Sequence, residues 1–135
     1  MTFNIEPLYV IDTHVLIWYL VDAQKLSEKA TLVFEAAERG ETSLIISAIV
    51  LAEMYYANKK YGWFADFSST YLQLKSRPYF RFVPLLPDHI FDFAKDEAVP
   101  EMHDRIIVGL ARRIDAPLLT IDPQIKKTTL VSVVW

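Results

Sequence analysis

The sequence predicts a three-layer α/β/α fold with a central, mostly parallel sheet. Short apolar runs recur along it, LYVI at 8–11, SLIIS at 43–47 and LLTI at 118–121, and longer segments with helical spacing and caps separate them. No repeat, low-complexity tract or linker interrupts the alternation. Strands alternating with helices are the pattern of a parallel sheet covered on both faces. With 135 residues, 53% of them hydrophobic, the chain suits one compact domain over 1–135.

LYVI reads as a buried strand, and THVLIWYL after it as a short helix. Ser27 is an N-cap for EKATLVFEAAER, and Gly40 suits the position just past that helix. SLIIS is the second strand; Ser47 then caps AIVLAEMYYANKK, which ends near Gly62. WFADFSSTYLQLK is expected to be helical, stopping before Pro78, and FRFVPL to be a short strand. Pro87 and Asp88 open a helix through HIFDFAKDEA, and DRIIVGLARRI forms another. LLTI, a short turn of helix after Pro123, and a last strand in VSVV complete the order.

Composition narrows the chemistry. Without cysteine there are no disulfides and no thiolate metal sites. The opening MTFNIEPLYVID lacks the positive charge and apolar core of a secretory signal, and no apolar run reaches the roughly 18 to 20 residues that span a bilayer. A cytoplasmic protein with no membrane partner is the expectation. A net charge of -3 argues against a surface that grips nucleic acid everywhere, yet basic pairs at Lys59–Lys60, Arg112–Arg113 and Lys126–Lys127 leave room for a local basic rim.

Four acids stand at the ends of apolar segments: Asp12 after LYVI, Glu53 within SAIVLAEMYYA, Asp104 opening DRIIVGLARR, and Asp122 after PLLTI. In open parallel sheets ligands bind beyond the carboxyl ends of the strands, where these acids are expected to meet. Two carboxylates about 4 Å apart repel by roughly 4 kcal/mol at an effective dielectric near 20. Protons or cations must offset such a cluster, and Mg²⁺ or Mn²⁺, which take oxygen ligands, are suited to it. Such an ion orients phosphate, activates water and stabilises the leaving oxygen, so the pattern suggests hydrolysis of phosphodiesters. Each acid also fits an ordinary role. Asp12 and Asp122 could be N-caps, and Asp104 could complement a helix dipole. Glu53, between Leu51, Ala52 and Met54, is harder to explain that way.

IDTHVLIWYL, SAIVLAEMYYA, MHDRIIVGLARR and LLTIDPQI resemble, in order and spacing, the motifs of PIN-domain ribonucleases, most closely the VapC toxins of VapBC toxin–antitoxin pairs. The resemblance runs over nearly the whole chain and implies a Rossmann-like domain whose acids hold Mg²⁺ or Mn²⁺ and cut RNA. It assigns the four acid positions to Asp12, Glu53, Asp104 and Asp122, as metal ligands and catalytic groups, with Asp12 and Asp104 the foremost direct ligands. Thr13 and Thr120 take the hydroxyl positions that orient a carboxylate or a phosphate. Where many relatives have Asp-Pro-Phe-Asp, this chain has Glu101, Met102, His103 and Asp104, keeping an acid at the first place. Arg105, Arg112 or Lys126 could touch the phosphates of the scissile strand, although helix-surface charges explain them equally well.

His14 and His103 adjoin acids, but packing or surface hydrogen bonding is the simpler role for both, and His89 is read as structural. Aromatic side chains cluster between Tyr55 and Tyr71, where helices could form a groove for a partner or a dimer face. The resemblance implies a cognate antitoxin that covers the acidic pocket, and a homodimer. Asn in place of Asp12 or Asp104 is expected to abolish cleavage and leave the metal-free fold as stable or slightly more so. Two rivals remain. One is a silent PIN-like module that binds RNA or protein without cutting. The other is a metal-dependent phosphatase, although the second Asp that an aspartyl nucleophile wants two residues after Asp12 is His14.

Overall fold

The computed structural model describes residues 7–135; MTFNIE, the beginning of the segment weighed for a secretory signal, lies outside the described residues. Five strands make one sheet: β1 (Leu8–Ile11), β2 (Ser43–Ser47), β3 (Phe80–Val83), β4 (Leu118–Leu119) and β5 (Val133–Val134). Every pairing is parallel, and the order is β3-β2-β1-β4-β5. Helices α1 (Thr13–Val21), α2 (Glu28–Glu38), α3 (Ala48–Tyr61), α4 (Phe67–Ser76), α5 (Pro87–Phe91), α6 (Met102–Arg113) and α7 (Pro123–Thr128) connect the strands and flank the sheet. This is the three-layer α/β/α arrangement, with all described strands parallel.

The sequence accounts for the layering. SLIIS is buried at all five positions, as a strand covered on both faces must be. Phe34, Leu44, Ile46, Met54, Leu74, Ile107, Leu118 and Ile125 are among the fully buried side chains of one continuous core. Ser27 Oγ accepts from Ala30 N at 3.1 Å and Ser47 Oγ from Ile49 N at 3.3 Å, so both serines cap as expected. Gly40 and Gly62 stand just past α2 and α3 with φ of +78° and +66°, the left-handed region that ends a helix. Among the described residues no helix is long and apolar enough to cross a membrane.

Several boundaries differ from expectation. The helix expected from Trp63 begins at Phe67, because Asn58 ties down the preceding turn: its Nδ2 donates to Phe64 O at 3.0 Å and its Oδ1 accepts from Phe64 N at 2.6 Å. Asp66 then caps α4 through Ser68 N. The single helix expected after Pro87 shortens to α5 and tightens into a 3₁₀ turn over Asp92–Asp96, which carries Asp96 inward. β3 stops at Val83, before Pro84, which has no N–H for a ladder. LLTI pairs only at Leu118–Leu119, and VSVV only at Val133–Val134.

The chain runs outward from β1 through β2 to β3, then returns to the other side of β1 as β4. The order therefore reverses between β1 and β4, and a crevice opens beyond their carboxyl ends.

Candidate active site

Asp12 follows β1 directly and begins α1. Its Oδ1 accepts from Thr13 N at 2.8 Å, and its Oδ2 accepts from the hydroxyl of Thr120, 108 residues away, at 2.6 Å. Thr120 leaves the end of β4, is 1% exposed, and also accepts from Asp122 N at 3.1 Å. One hydroxyl thus ties the carboxyl ends of the two strands at the switch point. Thr13, equally buried, donates to Glu53 Oε1 at 2.7 Å and fixes that carboxylate from α3. Both threonines orient carboxylates.

Asp104 lies in the first turn of α6. Its backbone N–H is capped at 2.8 Å by Glu101 Oε2, and among the described residues no hydrogen bond reaches its carboxylate. Asp122 caps α7 by accepting from Gln124 N at 2.8 Å. Capping and site-building therefore coexist at Asp12 and Asp122. Asp12, Thr13, His14, Glu53, Asp104, Ile121, Asp122 and Pro123 line one cleft of about 320 Å³.

Electrostatics reflect the crowding. Burial pushes the Asp104 carboxyl up to about 6, and Asp12, Glu101, Asp122 and Glu53 push it in the same direction. Burial also raises Asp12, against the lowering effect of the Thr120 and Thr13 hydrogen bonds. Glu53 is raised by burial, partly opposed by the Thr13 hydroxyl. Glu101 is held low: its burial is outweighed by the N–H groups of Asp104 and His103. His103 Nδ1 stands 3.1 Å from Glu101 Oε1 and 3.8 Å from Glu53 Oε2, so this imidazole sits at the rim between two acids.

The donor set is entirely oxygen and strongly negative, which suits a hard divalent cation. Among the described residues no three His, Asp or Glu side chains form a ready-made ligand group. The fit to Mg²⁺ or Mn²⁺ is one of donor type and charge.

The basic residues singled out in the sequence are placed elsewhere. Arg105 Nε donates to Val99 O at 2.7 Å, and its guanidinium lies over Phe93. Arg112 Nε and NH2 donate to Asp96 Oδ1 and Oδ2 at 2.8 and 3.0 Å, so one edge of its guanidinium is held by a carboxylate. Arg112 and Lys126 line a separate cleft of about 410 Å³, which is larger but has a single acid, Asp115, among the described residues that line it. His89 is structural, accepting from Leu86 N at 3.1 Å.

Sequence reasoning missed Asp96. It is 1% exposed and paired with Arg112. The available signal was Gly109 in the middle of an otherwise favourable helix. A Cβ there would lie 3.1 Å from Asp96 Oδ2, so the glycine makes room for the carboxylate.

The family model for the PIN domain matches residues 9–130. The chain belongs to the PIN domain family. Solved structures share the fold at low identity. VapC20 of Mycobacterium tuberculosis, described as a sarcin–ricin loop cleaving toxin, is 13% identical with a TM-score of 0.68, over 94% of this chain and 99% of that one. VapBC2 of Rickettsia felis, bound to a promoter DNA fragment, is 17% identical with a TM-score of 0.65, covering 93% and 96%. A FitAcB structure from Neisseria gonorrhoeae is 17% identical with a TM-score of 0.66, covering 93% and 95%. No curated protein sequence matches the chain. Within this PIN domain the four acids lie on α1's cap, α3, α6 and α7's cap, at one end of the sheet.

Proposed function

We propose that this PIN domain, a single domain over 1–135, is a divalent-metal-dependent endoribonuclease and the toxin of a toxin–antitoxin pair. The observation that carries the reading is the meeting of Asp12, Glu53, Asp104 and Asp122 in one cleft, where burial first and the neighbouring acids second drive the Asp104 carboxyl to about 6. A protein that only binds has no use for that repulsion, whereas a cation converts it into affinity.

Asp12 and Asp104 would hold the ion, Mg²⁺ or Mn²⁺, with Glu53 and Asp122 completing its surroundings directly or through water. When bound, the ion supplies positive charge that orients the scissile phosphate and makes water a better nucleophile. The protein's own part is positional. Thr120 aims Asp12, and Thr13 aims Glu53 by engaging Oε1. Glu53 Oε2 then accepts the proton of the attacking water; burial raises this carboxyl, which makes it a stronger base than an exposed glutamate. Water adds to phosphorus, and the bond to the leaving sugar oxygen breaks with its electron pair going to that oxygen, which takes a proton from solvent.

An antitoxin partner accords with the structural neighbours, several of which are toxin–antitoxin complexes. A homodimer and a cytoplasmic location belong to the same reading. The test is incubation of labelled RNA with the wild type and Asp104→Asn, in Mn²⁺ and in chelator. Cleavage by the wild type in Mn²⁺ alone supports the reading. Binding without cleavage would favour the silent module, and release of phosphate from small phosphate esters with RNA left intact would favour the phosphatase.

A further inference from the structure

Beside the acidic cleft lies a second one of about 360 Å³, lined by Ile49, Ala52, Glu53, Tyr56 and His103. Glu53 is common to both, so the two clefts share a wall. Ile49, Ala52, Glu53 and Tyr56 recur at helical spacing on one face of α3, and Lys60 continues that face one turn further. Along this stripe the chemistry changes from carboxylate to flat aromatic ring to cation.

Tyr56 is 69% exposed, yet its ring is braced. It meets Tyr55 edge-on at 5.4 Å, and Tyr55 meets Phe67 in the same way at 5.4 Å. Lys59 Nζ lies over the Tyr55 ring at 4.9 Å, next to this pair. The His103 imidazole, also in the wall, is steadied by Glu101. A cleft with a braced aromatic face and apolar lining from Ile49 and Ala52 is suited to a planar ring, and beyond its lining Lys59 and Lys60, whose ammonium groups lie over Tyr55 and Tyr61, supply positive charge on the same helix.

We propose that this cleft is a nucleobase subsite: it takes one unpaired base of the RNA strand whose phosphate lies over the acids, stacked on Tyr56. The inference deepens the ribonuclease reading and rests on it for the identity of the strand. It also favours a strand that is single at this point, since a paired base would first have to unpair and unstack, which costs free energy.

The test is equilibrium binding of a short fluorescein-labelled oligoribonucleotide to Asp104→Asn protein in Mg²⁺, with a single abasic residue moved along the oligonucleotide. Adding Tyr56→Ala should weaken binding of the intact probe by about 10-fold. It should have no effect on the one probe that lacks the bound base. Tyr56→Phe, which keeps the ring, should bind like its parent, and Ala52→Trp, which fills the cleft, should reproduce the loss. Equal losses on every abasic probe, or no loss at all, overturn the proposal. So does a Tyr56→Ala variant with unchanged RNA affinity but an altered sedimentation coefficient, which would give the surface to a second copy of the chain. Binding needs no cleavage, so base-specific, Tyr56-dependent affinity in a wild type that does not cut RNA would keep the subsite and remove the nuclease. Cleavage with Tyr56-independent affinity would remove the subsite alone.

Discussion

Asp104→Asn should stabilise the metal-free protein by an amount that grows as pH rises from 3.8 to about 6 and stays constant above that. Among the described residues the Asp104 carboxylate receives no hydrogen bond, so the amide forfeits none while the repulsion disappears. The carboxyl titrates near 6 in the folded chain against an ordinary value of 3.8. Folding therefore raises its proton affinity, and between those two values the native state binds more protons than the unfolded one. Stability must then fall as pH rises through that window, and stay reduced above it. A shift of this size corresponds to about 3 kcal/mol if taken in full. The group is partly open to solvent, and screening reduces the expected effect to about 1 kcal/mol. For a chain of this length that is about 3 to 4 °C in Tm.

The assay is thermal or urea unfolding in chelator at pH 4 and pH 7.5, wild type beside variant. The variant should match the wild type at pH 4 and exceed it at pH 7.5, and divalent ions should raise wild-type Tm more than that of the variant. A variant less stable at pH 7.5, or a difference that does not change with pH, would refute the reasoning. The sequence suggested the same gain for Asp12→Asn, but the structure separates the two residues. Both Asp12 oxygens accept hydrogen bonds, and an amide would replace one acceptor with a donor, so no stabilisation is expected there.

Three further outcomes follow from the packing. Thr120→Val removes the hydroxyl shared by Asp12 and Asp122, and should cost about 1 to 3 kcal/mol in urea unfolding together with most of the RNA cleavage; Thr120→Ser should retain both. Asp96→Asn leaves the Arg112 guanidinium half-buried without its carboxylate, and a loss of about 3 kcal/mol is expected from chemical denaturation. Gly109→Ala gains up to about 1 kcal/mol of helix propensity, but its methyl presses on a carboxylate that Arg112 holds in place. Net destabilisation is expected, and a more stable variant in the same unfolding assay would show that Asp96 can move.

Much of the fold was legible because its signals are local. Ser27, Ser47 and Gly40 act where caps and stops were expected, since a cap depends on the next few backbone N–H groups and on little else. Boundaries failed where a side chain reached past its own turn. Asn58 holds residues that would otherwise have extended α4, and Asp96 closes on an arginine from another helix.

By itself the sequence determined the alternation of strands and helices, the buried run SLIIS, and which acids stand where strands end. Only the tertiary structure decided that Thr120 reaches Asp12 across 108 residues and Thr13 reaches Glu53 across 40, and that Arg112 turns to Asp96. The physical reason is range. Periodicity and capping act over one or two turns, whereas a carboxylate's partner and proton affinity depend on whatever the sheet order brings beside it.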